Sequence, residues 1–101
     1  MLAALDVAAA DLGDVGVEMD GDGGRTWSRD GVAFAHLADN RAAELRIGVV
    51  IADAALRTPD TLPSGRGADW VMFAPPILDD HARDRLVAWF AAAHRRAARA
   101  S

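Results

Sequence analysis

Arg25-Thr26-Trp27-Ser28-Arg29-Asp30-Gly31-Val32-Ala33-Phe34-Ala35-His36-Leu37 and, past a second turn at Asp39-Asn40, Arg41-Ala42-Ala43-Glu44-Leu45-Arg46-Ile47 decide the fold of this chain. Asp-Gly between alternating apolar residues is among the strongest short-range hairpin signals, because both turn positions tolerate positive φ. A two-residue loop at Asp30-Gly31 pairs position 27 with 34 and 29 with 32. A second at Asp39-Asn40 pairs 34 with 45 and 32 with 47. Trp27, Phe34 and Leu45 then form one row, with Val32 and Ile47 beside them. A one-residue slip would turn each set outward, so the pattern predicts three antiparallel strands with a shared buried face.

Working outward, Val15, Val17 and Met19 alternate with Gly16, Glu18 and Asp20, which predicts a preceding strand with one buried face. A four-residue loop would set Glu18 opposite Trp27, so an odd loop of three or five residues around positions 21–24 is required. Leu2, Leu5, Ala9 and Leu12 have helical spacing, and Gly13 suits the C′ position. Residues 48–56 lose the alternation and read as a short helix ended by Pro59. Residues 69–74 are a fifth strand, stopped by Pro75-Pro76. Asp79 or Asp80 caps a long final helix whose inward stripe is Ala82, Leu86, Trp89, Phe90, Ala93 and Ala97. The order is α-β-β-β-β-α-β-α: an α+β fold, a four-stranded antiparallel meander plus a fifth strand, with helices packed on one face. The 101 residues are read as a single domain, 1–101.

Composition narrows the function. The 51% apolar content is rich in alanine, so three tryptophans and three phenylalanines must supply much of the core. With no cysteine, disulfides, thiolate metal sites and a cysteine nucleophile are excluded. The start Met1-Leu2-Ala3-Ala4-Leu5-Asp6 has no basic region before its first acid, which argues against a signal peptide. No apolar run approaches the roughly 20 residues of a membrane span. The expectation is a soluble cytoplasmic protein. Net charge is −4, and all 11 basic residues are arginines. A duplex-binding domain draws its affinity from a basic surplus, so nucleic acid is not the expected partner.

The candidate sites are few. Asp20-Gly21-Asp22-Gly23-Gly24 lacks the acid, glycine and bidentate glutamate that a calcium loop needs at positions 24, 25 and 31. It is read as hairpin geometry, and no metal or cofactor is expected. His36 falls on the inward face opposite Ala43, with Arg25 at the same end. It is the one catalytic candidate, a near-neutral titrating group, set against a half-buried structural histidine. Asp79-Asp80-His81 and His94-Arg95-Arg96…Arg99 match the two poles of the last helix and are read as capping and a solvated tail. Ala33, Ala35 and Leu37 on the outer face suit a shallow homodimer interface or, preferably, an ordinary exposed surface.

The polar loop 57–68 is the main binding candidate, with two arginines, three hydroxyls and two glycines between apolar segments. Loops of this length without structure of their own are functional or disordered more often than not. Gly65 and Gly67 allow backbone N–H groups to face an anion, and Arg66 between them can pair bidentately with a carboxylate or phosphate. Arg57, Thr58, Thr61 and Ser64 complete the expected ligand-binding set.

Ala33-Phe34-Ala35-His36-Leu37, then Glu44-Leu45-Arg46-Ile47 and a short helix, then Ser64…Asp69-Trp70-Val71-Met72-Phe73 and an amphipathic last helix, together resemble the small "luciferase-domain" family over roughly residues 15–98. Gly67-Ala68 departs from the serine that family carries beside Asp69, and Gly48-Val49 from its common Thr-Arg pair. Both departures remove polar groups from a shared ligand site. The resemblance implies the same α+β layout, and nothing in these residues supports light emission. The element order is also similar to that of the MmcQ/YjbR-like proteins, which are described as DNA-binding; the acidic balance speaks against that role here.

The functional expectation is therefore a non-catalytic binding or interaction module that takes a small anion or a protein partner through the 57–68 loop. The alternatives are a small enzyme using His36 or, last, a nucleic-acid-binding protein using the C-terminal arginines.

Overall fold

The Asp30-Gly31 turn forms as expected, with φ of 51° and 80°, and Arg29 faces Val32 across it. In this computed structural model residues 1–21, 23–39 and 41–100 are described, without the side chains of Arg99 and Ala100. The expectations placed on Asp22, Asn40 and the Arg99 side chain lie outside the described residues. The elements run α1 (Leu2–Leu12), β1 (Gly16–Met19), β2 (Arg25–Arg29), β3 (Val32–Asp39), β4 (Ala42–Arg46), α2 (Val49–Ala55), β5 (Thr61–Pro63), β6 (Trp70–Phe73) and α3 (Asp80–Ala100). The architecture is α+β, and the described strands form one antiparallel sheet in the order β1-β2-β3-β4-β6-β5. The expected fifth strand is β6; β5 is an additional short strand inside the 57–68 loop.

The register of the meander differs from the expected one. Trp27 pairs with Ala35, not Phe34, because a bulge at Phe34 puts one extra residue into β3. Ala35 in turn faces Leu45. A second irregularity follows Leu37, and the next turn shifts by a residue because the Asp39 carboxylate accepts the Arg41 backbone N–H at 2.9 Å. The physical reason is burial. A bulge sets two neighbouring residues toward one side, so Val32 and Phe34 and then Ala35 and Leu37 all face the helices. Ala35 and Leu37, expected on the outer surface, are 1% and 4% exposed. Burying a leucine side chain stabilises by about 1.5–3 kcal/mol, which strict alternation would have forfeited. Ala35 and Leu37 are therefore not available to the outer surface, homodimeric or solvated, on which they were expected; Ala33 alone of the three is exposed there.

The five-residue loop 20–24 has the predicted odd length, and Val17 faces Trp27 as predicted. The buried face expected for β1 does not form, however: Val17 and Met19 are 48% and 68% exposed. The reason lies in α3, which packs across β2, β3 and β4 while α1 packs on α3, so neither covers β1.

Trp27, Phe34, Phe73 and Phe90 are the largest fully buried side chains. Phe90 meets Trp27 at 5.7 Å and Phe34 at 5.1 Å between centroids, both edge to face. The helix stripe lands as read, with Trp89 half-buried against Phe73. Asp79 is the cap, its Oδ1 accepting the Ala82 N–H at 2.8 Å. His94 departs from its expected place in a solvated tail. It is buried, edge-on to Phe34, and Arg29 Nη1 lies 3.3 Å from its Nδ1.

Candidate functional site

With the helices on one side, the other side of the sheet is open. Pairing places Glu18, Thr26, His36, Glu44, Met72 and Leu62 in one row across that face. Arg46 and Trp70 stand opposite each other in the next row. The side chains are bonded to one another in two groups.

The first group surrounds His36. The bulge puts this residue on the open face, facing Glu44 and not Ala43 as expected. Its Nδ1 lies 3.0 Å from Thr26 Oγ1 and 3.8 Å from Asp20 Oδ2. Arg25 is on the opposite face, where it donates to Asp6 of α1 at 3.1 Å. The expected His36–Arg25 pairing is thus undone by the same change of register.

The second group forms around Glu44, which the sequence reading did not single out. The Ser64 hydroxyl donates to Glu44 Oε2, and Arg66 Nε donates to Glu44 Oε1 at 3.1 Å. The Arg66 backbone N–H returns to Ser64 Oγ at 3.2 Å, so the loop is folded around its own serine. The Arg66 guanidinium then lies 5.5 Å from the Trp70 ring centre, a cation–π distance. Beside it, Arg46 Nε donates to Asp69 Oδ2 at 2.6 Å. That hydrogen bond is the main reason the Asp69 carboxyl is held below its usual pKa range, against the opposing effect of burial.

The five loop residues expected to share one concavity are divided by β5. Ser64 and Arg66 join the open face. Thr58 and Thr61 turn to the helix side, where Arg85 of α3 donates to Thr58 Oγ1 at 2.7 Å and to the Pro59 carbonyl at 3.0 Å. Arg85 also lies 4.8 Å from the Phe73 ring centre and 5.0 Å from that of Trp89, which fixes it in place. These residues border an open cleft of about 600 Å³ with Asp60, Ile77, Asp79 and His81 on its other walls. Arg57 belongs to neither group; its side chain is 80% exposed and reaches only Asp53, one helical turn back.

Glu44, Arg46, Asp69, Trp70 and Arg85 are the site residues that the sequence did not disclose. The alternation Glu44-x-Arg46 was a usable signal, since it puts both charges on one strand face. No group of acids and histidines that could hold a metal ion occurs among the described residues, and no described helix is long and apolar enough to cross a membrane. No family model, no curated protein and no solved structure matches this chain.

Proposed function

We propose that this protein is a small non-catalytic binding module, acting in the cytoplasm, which engages a protein partner through the open sheet face where the 57–68 loop closes on it. The observation that carries this reading is Arg66, held between the Glu44 carboxylate and the Trp70 ring on a face that no helix covers. Fixed arginine–aromatic pairs are the residue types that concentrate binding energy at protein interfaces. Leu62 and Met72 extend the same surface with apolar area. Both charge pairs there, Glu44–Arg66 and Arg46–Asp69, are already compensated. The Glu44 carboxylate already offsets the Arg66 charge and repels a second anion, so a protein surface suits the site better than a free anion.

The catalytic alternative draws less support. The Ser64 hydroxyl donates to a carboxylate that Arg66 also holds, and a carboxylate is a far weaker base than the imidazole that activates a serine. His36 faces Thr26 and Asp20 and not Ser64. The nucleic-acid alternative is weakened by Glu18, Glu44 and Asp69 on or beside the same face.

The test is partner capture by immobilised wild type, Arg66→Ala and Trp70→Ala, with a thermal-shift screen of anionic metabolites alongside. A protein retained by wild type and lost by both variants supports the reading. Stabilisation by an anion that Arg66→Ala abolishes defeats it in favour of a small-molecule site.

A further inference from the structure

The two edges of the sheet are finished differently. β5 is three residues long, ends on Pro63, which has no N–H to offer, and follows Pro59 closely. Brevity and proline are common devices for making an edge unattractive to an added strand. β1 has neither proline nor bulge. It pairs with β2 in unbroken register from Gly16–Ser28 to Met19–Arg25 and has no strand on its other side. On an antiparallel edge, alternate N–H and C=O groups point away from the neighbour, so β1 presents half a ladder.

Its side chains say what that ladder suits. Val17 and Met19 stand exposed on the helix side, beyond the reach of α3. Glu18 stands on the open face, with Asp14 just before the strand and Asp20 just after it. Asp14 and Glu18 make no ion pair among the described residues.

We infer that β1 is a docking edge for an extended segment of a partner protein in which apolar residues alternate with lysine or arginine. Directly opposed residues in a ladder share a face. The partner's apolar residues therefore continue the Val17–Met19 side, and its basic residues continue the Glu18 side. A second copy of this chain fits less well, because face matching allows only alternate registers. One centred on Glu18 opposes the two Glu18 carboxylates. One centred on Met19 sets Glu18 against Asp20, and one centred on Val17 puts Glu18 opposite Gly16, where its charge meets no partner. Like charges so placed destabilise a pair of strands, whereas a basic segment meets the same acids with complementary charge. This surface is at the far edge of the sheet from Arg66, and the inference stands independently of the function proposed above.

The test uses the full chain, labelled for amide NMR, and three end-blocked heptapeptides. The probe alternates lysine with valine. One control replaces lysine by glutamate, and the other keeps the lysines but carries N-methyl groups on alternate amides. The expected result is saturable binding of the probe alone, with shift changes and slowed amide exchange at Gly16–Met19, weakening as salt is raised. Glu18→Lys, an exposed substitution that leaves the fold intact by circular dichroism, weakens binding about tenfold, and Arg66→Ala leaves it unchanged. The inference is overturned by equal binding of the N-methylated peptide or by shifts that map to Arg66 and Trp70. Absence of saturable binding, or a dimer formed through β1 without peptide, overturns it as well.

Discussion

Arg46 and Asp69 meet Nε to Oδ2 at 2.6 Å, which ties the end of β4 to the turn that opens β6. The backbone closes the same corner, the Gly48 N–H donating to the Asp69 carbonyl at 3.0 Å. Asp69 therefore belongs to the folding energetics as well as to the open face.

The pH dependence of that pair follows from its direction. The carboxyl is depressed below its usual 3.8 in the folded state, so its contribution is fully present above that pH. It is lost as pH falls through the lower folded value. Asp69→Asn should reduce stability at neutral pH by about 1 kcal/mol, allowing for partial exposure. It should also flatten the loss of stability below pH ~4. Urea unfolding of both proteins across that range checks this, and parallel curves would refute it.

His94 predicts a second, separate window. Burial is the main cause that pushes its imidazole below the usual 6.5, and the Arg29 charge beside it adds to the shift; a hydrogen bond to the Gly13 backbone and the Asp14 charge oppose it, and Arg95 acts with Arg29. Protonation is thus disfavoured in the folded state. Stability is complete above pH 6.5 and declines as pH falls from there toward the lower folded pKa. His94→Phe loses the Arg29 contact at Nδ1 on both sides of pH 6, a constant cost, and should remove the decline. The comparison is the denaturation midpoint of each protein on either side of pH 6, and an unchanged slope in the variant would rule the account out.

The bulge in β3 is tested by Leu37→Ala. An outward leucine would cost less than about 0.5 kcal/mol on truncation. The buried one should cost about 2–5 kcal/mol. Equilibrium unfolding separates the two cases without structural data.

The cap of α3 gives a smaller, local effect. Asp79→Ala should destabilise by about 1 kcal/mol, a drop of roughly 4–8 °C in Tm at this size. Asp80→Ala, next in sequence but with no part in the cap, should fall well short of that. Equal losses would move the cap by a residue.

The parts of the fold legible in the sequence were those governed by local spacing. Leu86, Phe90, Ala93 and Ala97 repeat with the helix and are buried, and Asp30-Gly31 names its own turn. The bulge was not legible, because the turn sets the pairing only at its own end. What lies beyond it is decided by α3, which packs across β2, β3 and β4 and buries Phe34 against Phe90 and His94. β5 was hidden by its prolines and its three-residue length. At the site, Ser64 and Arg66 could be singled out by type, but their anchor Glu44 lies some 20 positions away and is brought there by the β4–β6–β5 order. His36 could be named as polar and near-neutral, but its face could not be read without the register.

The extra residue at Phe34 acts on β3 as a frameshift acts on a gene. Ahead of it the even-numbered positions face the helices, and behind it the odd-numbered ones do, up to Leu37. A chimera that swaps this strand for another must therefore join both sequences on the same side of Phe34. A deletion of one residue at that point would remove the bulge and leave Ala35 opposite Trp27 and Leu37 on the helix side, whereas straightening the strand with every residue kept would throw both into solvent and drive His36 into the core. The same deletion in the loop 20–24 would leave that strand in phase.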